Sequence, residues 1–427
     1  MFQSLGFYLR IRTILLVIGS IFLTTTISLA GSLEGKLFIP VSKDLSTKMR
    51  TELPALRATT IRQRIVQLNF DYFTSQIVPS SKELKRQQSI PVTLFDDVVI
   101  QLDSRDIEEN PKGIYTWTSS VKADFFGSAS ITFGGGVAIG MVHIDDKIYE
   151  IQPIGENLLT ISEIDQKKFP PEAIPIRPDE VASSTIKVLV VLPEPIYKFI
   201  CGFKFPFPFN FNILDLVAKN YEKNLNGVFN RLFPTGVKAS VVARCHDHQP
   251  VGGDLTEDLD WVRTDTNIAA LRDELKADLV SFIVPEASFC GMAYQNFPVT
   301  NSSADFGFSV VVGSCSLSNY SFAHELGHNI GMGHDRVADI AAGSSDCNYG
   351  YVFTKPKGRT VMAFSSSCDG CTRYGLYSTP KKFTLPFIGT LGPFGVACDA
   401  PASGSTYSRA NNRGQLITAA PVVSAFR

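Results

Sequence analysis

Cysteine is missing from the first 200 residues, and all eight in the chain fall at positions 201, 245, 290, 315, 347, 368, 371 and 398. The stretches before and after residue 200 therefore solve the stability problem differently, as separate domains would. Net charge is missing too: 40 basic against 41 acidic residues leave −1, which removes the reason to expect nucleic acid or an anionic membrane surface as a partner. Charged residues make up 19% and hydrophobic ones 44%, a balance that excludes general disorder. There is no phosphate-binding loop, serine nucleophile elbow or internal repeat, and no long apolar run beyond the N-terminus. Histidine is scarce, at six in 427 residues, so its positions carry weight.

What is present begins with an export signal. Arg10 and Arg12 give a positive start, Thr13 to Ala30 is mostly apolar, and Ser28-Leu29-Ala30 places small residues where a signal peptidase reads. Residues 1–30 are expected to be a signal peptide cleaved after Ala30; the competing reading is an uncleaved anchor, since the run nears the lower limit for spanning a bilayer. Without that segment no membrane contact is expected, and the protein should be secreted, extracellular or periplasmic. Eight cysteines in an exported chain imply disulfides, although about 105 pairings are open.

Residues 31–180 form the next unit. Leu37 to Gln76 has mixed texture; from Val92 short β-type runs follow at Val92–Gln101, Ile114–Val121, Ser130–Phe133, Val137–His143, Lys147–Gln152 and Leu158–Ile164, with turns at Gly134-Gly135-Gly136 and Asp145-Asp146. This predicts a mainly antiparallel β domain without catalytic residue types, in which His143 is part of a strand surface. Lys167-Lys168-Phe169-Pro170-Pro171-Glu172, then Pro175 and Pro178, predict an extended linker, and the paired lysines also offer a processing site.

Residues 181–427 differ. Ile186–Leu192 is a continuous apolar strand suited to a sheet covered on both faces, Ile213–Leu225 a helix, and Val237–Ala243 a strand. Asp265 can cap a helix over Ile268–Leu275, while Asp278–Val284 and Phe308–Val312 are further strands. Strands alternating with helices argue for a mixed α/β layer. The Phe- and Pro-rich stretch at 203–211 is expected to be a surface loop. Asn301-Ser-Ser and Asn319-Tyr-Ser fit the glycosylation pattern.

Half of the histidines fall within eleven residues, in Ser321-Phe-Ala-His324-Glu325-Leu-Gly-His328-Asn-Ile-Gly331-Met-Gly-His334-Asp335. Helix positions four apart share a face, so His324 and His328 present two imidazoles to one point. Glu325 then stands to one side of the metal, near a bound water. Gly331 can take a left-handed conformation and turn the chain back, which brings His334 to the same ion. Three neutral imidazoles leave the fourth tetrahedral position open, as a catalytic zinc requires. A His pair with an adjacent Glu also occurs on ordinary helices; the glycine and the third histidine at this spacing set the segment apart.

This segment resembles the long zinc motif of the metzincin metallopeptidases, and Asp335 after the third histidine is similar to the adamalysin, or reprolysin, family. Arg359-Thr360-Val361-Met362-Ala363 resembles the Met-turn of that clan, which would make Met362 the floor of the site and Asp335 the acid tying the zinc segment to it. Cys290-Gly291-Met292-Ala293-Tyr294 resembles a stretch of bacterial reprolysin-like proteases, near the upper edge of the cleft, and Ala410 to Arg427 their last helix. Some metzincins add a tyrosine ligand two residues after the Met; here that position is Phe364. The resemblance covers about residues 185–427. It implies an α/β (α+β) zincin-like catalytic domain with a mixed twisted sheet and an active-site helix, preceded by the β propeptide domain.

The implied activity is a zinc-dependent endopeptidase, with protein or peptide substrates, Glu325 as general base and one catalytic Zn2+; a structural Ca2+ has no legible signature. An edge strand, Phe308–Val312, is expected to align an extended peptide by β-addition. Residues 31 to about 180 are expected to inhibit as a propeptide, by steric blocking or a carboxylate, since no cysteine is available there to silence the zinc. An inactive binding protein on the same fold, or a purely structural zinc site, are the rival classes. Cys368-Asp-Gly-Cys371 is expected to hold structural disulfides rather than a redox pair or half of a zinc ribbon. Cys245-His246-Asp247-His248 is expected to be an exposed loop rather than a second metal site.

Overall fold

The computed structural model describes residues 36–53, 56–78, 89–122, 124, 126–155, 157–170, 185–202, 212–338, 346–354, 357–385, 389–398 and 409–427. The expected signal peptide, most of the proline-rich linker and the stretch 203–211 lie outside them.

The N-terminal unit is one nine-stranded antiparallel sheet. Its strands are β1 (Phe38–Pro40), β2 (Thr60–Leu68), β3 (Ser89–Phe95), β4 (Val98–Glu109), β5 (Tyr115–Val121), β6 (Ser128–Gly134), β7 (Val137–Ile144), β8 (Lys147–Gly155) and β9 (Leu158–Asp165). From β9 back to β3 each strand pairs with its predecessor, and β2 with β1 completes the order on the far side of β9. One helix, α1 (Lys43–Glu52), joins β1 to β2.

Side chains alternate across a strand, and here the two faces do different work. Trp117, Ile131 and Phe133 point to one face and pack with Phe73, whose ring stacks on Phe133 at 3.9 Å between centroids. Ile114, Val137, Ile139 and Met141 point to the other, where they join the core of the C-terminal unit. The expected single strand Val92–Gln101 is in fact two, because Asp96-Asp97 forms a tight turn between β3 and β4. Apolar residues on both sides of that turn hide it from the pattern.

The C-terminal unit holds a five-stranded sheet of β10 (Thr185–Pro193), β11 (Lys238–His246), β12 (Leu279–Val284), β13 (Gly291–Ala293) and β14 (Phe308–Val312), in the order β11-β10-β12-β14-β13. All neighbours are parallel except β13, which runs antiparallel to β14 along one edge. The apolar run of β10 has a simple cause. Val188, Val190 and Leu192 enter one core and Leu189 and Val191 the other, so helices cover both faces.

Helix α2 (Ile213–Asn230) starts at a reciprocal cap between Asn212 and Asp215 and buries Leu216, Val217, Tyr221, Leu225 and Phe229. Its other flank meets the N-terminal sheet, where Lys223 pairs with Glu108 at 2.5 Å and Asp215 with Lys112 at 2.8 Å. Helices α3 (Leu255–Thr264) and α4 (Thr266–Glu274) follow, the latter capped by Asp265 as expected. After β14 come α5 (Ser321–Asn329), buried at every residue, and finally α6 (Asn412–Val423).

Four disulfides join Cys201 to Cys245, Cys290 to Cys315, Cys347 to Cys398 and Cys368 to Cys371. No helix among the described residues is long and apolar enough to cross a membrane. Asn319 is 2% exposed and its amide bonds Ser321, so in the folded protein it is no glycan acceptor; Asn301 is exposed.

Candidate metal centre

Helix α5 carries His324 and His328 on one face, and the chain then turns sharply. Gly331 has φ of +86°, a left-handed backbone that a glycine adopts without steric cost. Its amide donates to the His328 carbonyl, and that of Met332 to the Gly327 carbonyl, which closes the helix. The reversal places His334 on a short strand paired with Tyr349-Gly350. Its Nε2 lies 3.2 Å from that of His324 and 3.1 Å from that of His328, which are themselves 3.1 Å apart.

The Nε2 atoms of His324 and His328 cannot be bonding to each other. His324 Nδ1 faces the Val361 carbonyl at 2.9 Å and His328 Nδ1 the Met332 carbonyl at 2.8 Å. A carbonyl accepts only, so each Nδ1 carries the proton and each Nε2 presents a lone pair. Lone pairs aimed at one point repel unless a cation lies between them. For tetrahedral zinc with Zn–N near 2.1 Å the nitrogens would be about 3.4 Å apart, close to the triangle observed, so the residues fit the ion. Burial holds His324 and His334 well below the ordinary imidazole range, and the charge of Arg373 pushes the same way. Both rings are therefore neutral at pH 7, the form that ligates.

Around the triad stand the other residues singled out from the sequence. Glu325 is fully buried beside the edge strand, and a Cβ added to Gly291 would come within 2.6 Å of its Oε1. Met362 is fully buried under α5, its sulfur 2.6 Å from where a Gly327 Cβ would stand. Asp335 Oδ2 accepts the Phe364 amide at 2.9 Å and Oδ1 that of Val337 at 3.0 Å, which links the end of the zinc segment to the turn after Met362. Phe364, in place of a further ligand, packs its ring on His334 with centroids 4.0 Å apart.

Three expectations change. Phe308–Val312 is not an edge strand, since β12 and β13 flank it; the outer strand on that side is Gly291–Ala293. Residues 166–168 are a 3₁₀ turn rather than linker, and Phe169 docks, half-buried, against the core containing Cys290, Tyr294 and Cys315. The Cys245–His248 segment brings no second metal group together: Cys245 is in a disulfide, and His248 stacks on Trp261 at 3.5 Å. Among the described residues the three histidines of α5 and its turn are the cluster able to hold a metal. His143 departs from a plain strand surface, because it stacks on Tyr320 at 4.8 Å, just before α5, and its Nε2 lies 3.3 Å from the Ser318 carbonyl.

One cavity of about 210 Å³ adjoins the triad through Phe364. Ser365, Cys371, Thr372 and Arg373 line it from the catalytic side, Gln166, Lys167, Phe169, Pro170 and Asp146 from the N-terminal unit. Gln166 Oε1 accepts the Arg373 amide at 3.1 Å. Neither Arg373 nor Gln166 is marked by the sequence, which has no local signal for a pocket assembled across 207 residues.

Comparison with known proteins agrees with this geometry. Residues 218–374 match the reprolysin model of metallo-peptidase family M12. The chain is 26% identical to a peptidyl-Asp metalloendopeptidase of Stenotrophomonas maltophilia, over 73% of each protein. It is 23% identical to a protein of the same name from Xanthomonas campestris, over 71% of each. Metalloproteinase-II from Bacteroides fragilis is a looser structural likeness, with a TM-score of 0.38 and 11% identity over 61% of this chain and 85% of that one. The matched region is thus a metzincin-type metallopeptidase domain of family M12, and the protein is a zinc metalloendopeptidase.

Proposed function

We propose that the protein is a secreted endopeptidase, made as a latent precursor, in which His324, His328 and His334 hold the zinc and Glu325 is the general base. The convergence of three imidazole Nε2 atoms within 3.2 Å, beside a fully buried carboxylate, carries this reading. Zinc bound there supplies Lewis acidity, polarising the scissile carbonyl and lowering the pKa of water to about 7. Glu325 takes the water proton on a carboxylate oxygen and delivers it to the leaving amine. Val361 and Met332, through their carbonyls, keep His324 and His328 in the tautomer that ligates. The outer edge of Gly291–Ala293 lies beside Glu325 and suits an extended peptide added as a further strand. Arg10, Arg12 and the apolar run to Ala30 support export, and the four disulfides fit an oxidising compartment.

The relatives' name contributes a substrate class. Taken as the bond from a peptidyl group to an aspartate nitrogen, it puts aspartate on the amine side of the cut. Latency has its own support: Gln166, Lys167, Phe169 and Pro170 close one side of the cavity that Phe364 joins to His334. Glu325→Gln should keep stoichiometric zinc and the parent melting temperature while kcat falls at least about 10²- to 10⁴-fold. A variant that retains full turnover removes Glu325 from this role.

A further inference from the structure

The cavity beside His334 has a charged wall. Arg373 sits on a two-residue strand, Thr372–Arg373, that pairs in parallel with Lys357–Arg359. It is 3% exposed, and its Nη1 donates to the Asn319 carbonyl at 2.9 Å, which anchors the guanidinium near the start of α5. The same residue lines the 210 Å³ cavity together with Phe364, whose ring touches His334. The cation therefore shares a cavity with the ring that packs on His334. Arg359 lines this cavity as well, but its Nε and Nη1 bond the carbonyls of Cys371 and Ala363. It holds the loop in shape.

We infer that Arg373 is the specificity-determining residue, receiving an aspartate carboxylate from the substrate residue that supplies the leaving amine. The inference rests on the aspartate reading above and deepens it. A guanidinium is a planar fork of donors that matches a carboxylate with two parallel hydrogen bonds. In a wall shielded from water its charge acts at lower effective dielectric than at the surface. Asparagine has the same shape but turns an NH₂ group towards donors, so it is rejected although it fits. From the N-terminal unit, Asp146 in the β7–β8 turn and Lys167 both line this cavity.

The test uses active enzyme purified after expression of the full chain, and two peptides that differ only in Asp or Asn after the cut bond. The parent enzyme is expected to favour Asp about 100-fold in kcat/KM, the scale of a hydrogen bond to a charged group. In Arg373→Gln that ratio should fall below about 5, with the zinc content unchanged. Arg373→Lys keeps the charge and loses the fork, and covers the case in which glutamine prevents folding. Its Asp-over-Asn ratio should fall about tenfold, since the second hydrogen bond of the pair is lost. A folded variant with the parent's ratio overturns the role of Arg373 alone. A parent that cleaves both peptides equally overturns the aspartate reading and this inference together, and leaves the zinc peptidase standing.

Discussion

Gly331 turns the chain so that His334 joins His324 and His328, and Gly331→Ala probes how far the proposed zinc site depends on that turn. Its φ of +86° is a conformation in which a Cβ costs roughly 1–2 kcal/mol. The added methyl would also stand 2.7 Å from the Asn296 carbonyl oxygen and 2.7 Å from Val299 Cγ2. The first neighbour is backbone and cannot rotate away, and overpacking of that kind costs about 1–3 kcal/mol. The sum, about 2–5 kcal/mol, falls on the conformation that presents His334 and is relieved when the turn relaxes and the metal leaves. At 1.4 kcal/mol per decade the zinc Kd should weaken about 30-fold or more. Thermal unfolding with zinc should drop by at least about 4 °C, taking 2–4 °C per kcal/mol for a unit of this size. Competition with a chelator measures the first quantity and calorimetry the second. Gly333→Ala is the control, because its nearest neighbours are side-chain atoms at 3.3 Å. Alanine at 331 with the zinc affinity and melting temperature of the parent would refute the account of how the chain turns.

Two further outcomes follow from the contact between the units. Phe169→Ala removes a half-buried ring from the wall near Cys290; half of a core Phe→Ala cost is about 2 kcal/mol, so the initial rate of the uncut precursor on a small peptide should rise about tenfold or more. An unchanged rate argues against blocking by this segment. Burial lowers the His143 pKa from 6.5 to about 4, so the unfolded chain takes up that proton first and stability is lost as pH falls from 6.5 towards 4. At pH 5 the loss is about 1–2 kcal/mol relative to pH 7, and His143→Gln, which can still bond Ser318, should abolish that share of the difference in urea midpoints. An identical pH dependence in the two proteins would show that His143 is not held neutral.

Legibility tracked how local each signal is. His324 and His328 are one helical turn apart and Gly331 and His334 follow at once, so the geometry of the triad was readable from spacing alone. The alternation of Trp117, Ile131 and Phe133 against hydroxyl-bearing neighbours was readable for the same reason. The sheet edge was not, because Gly291-Met292-Ala293 has none of the β-branched or aromatic residues that mark a strand. Its three-residue length gives periodicity nothing to act on. Arg373 was hidden for a different reason: its neighbours Asn319 and Gln166 lie 54 and 207 positions away. Only the folded chain brings such residues together.

All four disulfides lie within residues 201–398, and no covalent bridge runs from the nine-stranded sheet to the catalytic half. A single backbone cut between 171 and 184 would therefore convert one molecule into a complex of two chains held by Lys223, Lys112 and the side chains packed on α2. Such a complex obeys mass action. Release of the enzyme would then depend on dilution into the surroundings as much as on the cut itself.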